Sequence, residues 1–119
     1  MTTIELFHRQ IVLDLTIRTL ERDRKHLDDL KMQRAMSIWI EEQIKVLHKE
    51  LKAVKSELYK NGAKLQSEKR IDILITEYSL LERGQLQARR YMNIALKNWV
   101  EEETKRLLGL PFHLTEDRQ

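Results

Sequence analysis

Apolar residues recur along this chain at helical spacing. Ile40, Ile44, Leu47, Leu51, Val54 and Leu58 alternate steps of four and three without a miss. That alternation places them on one stripe of an α-helix, the stripe that packs along a neighbour. Met32, Trp39, Val46 and Ala53 form a second line with a seven-residue repeat, which widens the expected buried face.

Upstream, Thr2 and Glu5 have the spacing of a capping box, so a helix is expected to begin beside them. Leu6, Leu13, Leu20 and Leu27 line one side of it, while Ile4, Phe7, Ile11 and Leu15 line nearly the opposite side. A helix apolar on two sides touches more than one neighbour. Its stripe and the Ile40–Leu58 stripe lie about half a turn out of phase at 100° per residue. A break is therefore expected near Asp28–Lys31, with Asp28 or Asp29 as the next N-cap. The pattern predicts helices over about 3–28 and 31–60, the second closed by Asn61-Gly62.

Beyond that turn, Ile71, Leu74, Tyr78, Leu81, Gln85, Ala88, Met92, Ala95 and Trp99 hold a helical phase across Gly84. A glycine inside a helix costs only about 1 kcal/mol against alanine, so one helix over about 64–108 is predicted. Gly109 and Pro111 stop it. The expected fold is all-α, with three long antiparallel helices forming a hairpin or bundle. A single helical domain is expected over 1–109, followed by a short tail over 110–119. A break at Gly84, giving four shorter helices, is the alternative.

Composition agrees with that expectation. About half of the 119 residues are Ala, Glu, Lys, Leu or Arg, as in long helices, and only three glycines and one proline occur. Charged residues make up 34%, well interleaved, with a net charge of +3. Cysteine is absent, which excludes disulfides, thiolate metal sites and thiol nucleophiles. No apolar run approaches the roughly 18 residues of a membrane span. A cytoplasmic protein with no membrane partner is the expectation.

The expected helix lengths do not match. The second spans roughly 45 Å and the third roughly 65 Å at 1.5 Å per residue. The overhang would carry Met92, Leu96, Trp99, Val100 and Leu107 as an exposed apolar surface. Self-association into a two-fold homo-oligomer, or binding of another protein, would cover it.

Little else resembles chemistry. His8, His26, His48 and His113 show no metal-ligand spacing and read as ordinary surface residues. Glu101, Glu102 and Glu103 are adjacent, so on a helix they diverge rather than converge as an acid–base pair. No phosphate loop, dinucleotide fingerprint or nucleophile elbow is present. No cofactor, metal or enzymatic activity is expected. Lys45, Lys49, Lys52 and Lys55 share the outer face of the second helix and form the candidate for contacting nucleic acid. The leading expectation is a non-catalytic helical protein–protein interaction module, a small adaptor or regulator. The alternatives are a nucleic-acid-associated accessory protein and a structural subunit of a larger helical assembly.

Overall fold

The computed structural model of the chain describes residues 1–27 and 31–112. The order of elements is α1 (Thr3–Arg24), α2 (Gln33–Lys60), β1 (Ala63–Arg70), β2 (Ile75–Glu82), β3 (Gln85–Met92) and α3 (Asn93–Leu107). The fold is therefore α+β, and the all-α expectation is overturned between residues 63 and 92. Those residues build an antiparallel meander in the order β1-β2-β3. Only the last third of the expected third helix is helical, so neither a helical bundle nor a coiled coil describes the chain.

The strands have a clear physical cause. Along β2, Thr76, Tyr78 and Leu80 alternate with more exposed neighbours and lie buried. This is the two-residue period of a sheet with one face packed. Ile71, Ile73, Ile75 and Thr76 are β-branched, a type that favours extended backbone. Gly84 supplies a hairpin turn instead of a helical step. Arg83 (φ +51°) and Gly84 (φ +81°) are both left-handed and separate the paired residues Glu82 and Gln85. Two left-handed residues between paired ends make the tight turn suited to the twist of a hairpin.

The local helix signals hold. The Thr2 hydroxyl accepts from the Glu5 amide at 3.1 Å, and the Glu5 carboxylate accepts from the Thr2 amide at 3.1 Å. Gly62 is left-handed after α2. After α3 the amides of Gly109 and Leu110 donate back to the carbonyls of Arg106 and Lys105, which closes a Schellman cap. The expected break near Asp28–Lys31 falls largely on residues 28–30, which lie outside the described residues, as do Thr115 to Gln119 of the tail. Helix α1 ends at Arg24, short of the expected 28.

Helix α1 is the central element. Leu6, Phe7, Ile11, Val12, Leu13, Thr16, Ile17 and Leu20 are all buried, spread around much of its circumference. It packs along α2 on one side and against α3 on another, while His8 meets Tyr91 on the inner sheet face. Within the Ile40–Leu58 seam all but Ile44 are buried, and Ile44 packs against the core. The seam is filled by α1 and β1 rather than by a returning long helix. The second line of α2 faces outward, with Met32, Val46 and Ala53 exposed and only Trp39 resting on the core. Among the described residues no helix is long and apolar enough to cross a membrane.

Candidate protein-interaction surface

The loop between β1 and β2 presents large aliphatic side chains to solvent on a tightly held backbone. Its sequence is Ile71-Asp72-Ile73-Leu74. The Asp72 carboxylate accepts from the amides of Leu74 (2.7 Å) and Ile75 (2.9 Å), a turn closed by its own side chain. The amides of Ile71 and Asp72 both donate to the Ile75 carbonyl.

Asn93, the first residue of α3, clamps this loop from the other side. Its backbone amide donates to the Leu74 carbonyl at 2.7 Å, and its side-chain amide donates to the Ile73 carbonyl at 2.9 Å. Its side-chain oxygen accepts from the Thr76 hydroxyl at 2.6 Å. The residues flanking it, Met92 and Ile94, are exposed, and they join Ile71, Ile73 and Leu74 in one apolar tip. Ile73 is 79% exposed. Lys69 and Arg70 precede the tip, and Lys97 lies one helical turn beyond Ile94, so its surroundings are basic. Glu77 of the outer sheet face pairs with Arg90.

The residues expected to form a contact surface on a projecting helix are dispersed. Met92 ends β3 and belongs to the tip. Leu96 is 7% exposed and part of the core, while Trp99 and Leu107 pack against that core. Val100 is half-buried. The overhang that motivated the expectation disappears with the long helix. Lys45, Lys49, Lys52 and Lys55 do share the exposed outer face of α2, and Lys45 pairs with Glu42 at 3.4 Å.

Two buried groupings have other roles. Arg9 donates to both carboxylate oxygens of Glu103, at 2.5 and 3.0 Å, and to Glu50 at 2.7 Å, while Arg106 closes on Glu103 from the same helix. This cluster fastens α3 to α1 and α2. Burial pulls the Glu103 pKa up, but hydrogen bonds from Arg9 and Arg106 outweigh it and hold the carboxyl below its ordinary value. The three adjacent glutamates accordingly diverge: Glu103 is buried, Glu101 is exposed and Glu102 pairs with Lys105. The second grouping corrects the reading of His8 as a surface residue. Its ring is half-buried and meets Trp99 edge-on at 4.5 Å, with Tyr91 and Tyr78 continuing the stack. His26 and His48 are exposed, and His113 lies outside the described residues. Spacing could not reveal either grouping, because each joins residues remote in the chain.

No curated protein and no solved structure matches the chain. A family model, that of the YhjD protein, matches residues 2–112, which takes in every helix and strand described above. The chain belongs to the YhjD protein family.

Proposed function

We propose that this protein is a non-catalytic cytoplasmic interaction module, a small adaptor or regulator that docks a partner protein on its β1–β2 tip. The observation that carries this reading is the clamped loop. Ile71, Ile73, Leu74, Met92 and Ile94 are exposed together on a backbone fixed by Asp72 and Asn93. An apolar group presented on a rigid support enters a partner's pocket with little ordering entropy to lose. Isolated exposed aliphatics are common on protein surfaces, but a contiguous group marks a contact site. The basic residues beside the tip suit a partner pocket with an acidic rim.

A photo-crosslinking residue at position 73 tests this in the native cell. A discrete crosslinked protein is expected from position 73, lost when Leu74 and Ile94 are changed to Asp, and absent when the probe sits at Gln85 on the far hairpin. Equal crosslinking from positions 73 and 85 would refute the reading. Sedimentation of the purified chain with and without Ile73→Asp tells whether the partner is a second copy.

A further inference from the structure

A cavity of about 280 Å³ opens where the end of α2 meets the start of β1 over the side of α1. Gln10, Lys55, Leu58, Tyr59, Ala63, Lys64 and Leu65 line it. The turn at Asn61-Gly62 creates it. Left-handed Gly62 swings β1 back past the last turns of α2, which brings Lys64 to the same cavity as Lys55. Lys55 and Tyr59 are four residues apart and so share one face of α2. Leu58, Ala63 and Leu65 give the cavity apolar walls.

Gln10 makes this more than a surface dent. It is only 7% exposed, yet its carboxamide forms no hydrogen bond to the protein among the described residues. Its amide atoms are not sealed from solvent, so they are reached through the open cavity. The amide carries two donors and an acceptor on the cavity wall. At the mouth, the Tyr59 ring is 83% exposed, an unusual position for a large aromatic residue. Neither Lys55 nor Lys64 takes part in an ion pair among the described residues.

From these features we infer that the cavity binds a small planar anion: a single-ring heterocycle with adjacent carbonyl and N–H groups and one phosphate or carboxylate. The Gln10 amide pairs with the carbonyl and N–H edge, donating to one and accepting from the other. Tyr59 stacks on the ring, and Lys55 and Lys64 neutralise the anionic group. Size limits the ring. Ligand pockets run from roughly 300 to 1,000 Å³, so this cavity sits at the lower bound. It admits a pyrimidine-sized ring with the charge held outside between the lysines.

Nuclear magnetic resonance titration of the full chain tests this, read at the Gln10 side-chain amide and the Tyr59 ring. The probes are uridine 5′-monophosphate, orotate, uridine and inorganic phosphate. The first two separate the phosphate and carboxylate sources, and binding of either moves both reporters. Uridine and phosphate alone bind at least about tenfold more weakly, the effect of losing one good interaction. Gln10→Leu fills the same space without the amide and weakens binding about tenfold. Tyr59→Ala cannot unfold the chain from so exposed a site, and it weakens binding as well. Lys49→Glu, outside the cavity, leaves binding unchanged. Silence of the Gln10 amide with every probe overturns the inference, as does wild-type affinity in Gln10→Leu. Phosphate binding as tightly as uridine 5′-monophosphate also overturns it, since the lysines alone would then account for the site.

Discussion

Arg9 and Glu103 lie 94 positions apart in the chain and meet through two hydrogen bonds, one to each carboxylate oxygen. The Glu103 side chain is fully buried. Removing one member of a buried pair strands the other, which costs about 3–5 kcal/mol. Glu103→Ala leaves Arg9 with Glu50 as a remaining partner, so a loss near the lower end, about 3 kcal/mol, is expected. Urea unfolding measures it. Glu50→Ala, whose side chain is 35% exposed, costs less than Glu103→Ala.

The same pair makes stability depend on pH in a defined direction. Folding lowers the Glu103 pKa from its ordinary 4.5. Between the two values the unfolded chain carries a proton that the folded chain lacks, so stability rises with pH there. The contribution is complete above 4.5 and is lost as the pH falls through the folded-state value. Glu5, partly exposed and held low by hydrogen bonds from the backbone and hydroxyl of Thr2, shifts in the same direction. Glu103→Gln should therefore flatten the acid limb of the stability curve while leaving the Glu5 part. Thermal melts of both proteins across about pH 3 to 7 check it.

Tyr78 offers a stabilising substitution. Its hydroxyl is buried and has no hydrogen-bond partner among the described residues. Burial pushes the phenol pKa up, so the group stays neutral. Tyr78→Phe keeps the edge-on contact with the Tyr91 ring and removes an unpaired polar atom. A gain of about 1 kcal/mol is expected in thermal or urea unfolding. A loss of that size would show that the hydroxyl has a bonding role.

The elements read correctly from the chain are those fixed by neighbouring residues. Thr2 with Glu5, Asn61 with Gly62, and Gly109 act within one helical turn, so their positions are visible in a linear pattern. The Ile40–Leu58 seam is visible because one helix supplies the whole stripe. The sheet was hidden by a coincidence of periods. Ile71, Leu74, Tyr78 and Leu81 fit a helical stripe, but Tyr78 is buried while Ile71 and Leu74 are exposed. Thr76, Tyr78 and Leu80 carried the true two-residue period. The turn residues were also disguised, with Arg83 in a left-handed site where Asn or Asp is usual. Nothing local could show that Arg9 meets Glu103, or that Asn93 clamps a loop twenty residues before it.

The Arg83–Gly84 turn can be tested in both directions. A Cβ on Gly84 meets nothing within 4 Å, so steric contact is not the obstacle. The obstacle is the left-handed backbone, which costs an alanine about 1–2 kcal/mol. Gly84→Ala is expected to destabilise by that amount. Arg83→Asn puts a tolerant residue at a left-handed position and should stabilise by about 0.5 kcal/mol. If both substitutions lower stability, the turn chemistry described above is wrong.

Asn93 is expected to matter more for the shape of the tip than for global stability. Its side chain bonds to the Ile73 carbonyl and the Thr76 hydroxyl, and it also approaches the Asp72 carbonyl at 3.4 Å. Asn93→Ala removes these bonds but keeps the backbone bond from residue 93 to Leu74. Each lost bond is worth about 1 kcal/mol, and exposed ones less, so a global loss of about 1–2 kcal/mol is expected. The larger effect is local. The Leu74 and Ile75 amides, held by Asp72, should exchange with solvent hydrogen faster than the global loss explains. Amides in the middle of β2, such as Tyr78 and Leu80, should follow the global change alone. Uniform acceleration along β2 would mean that the tip and the sheet open together, and that Asn93 does not hold the tip as a separate unit.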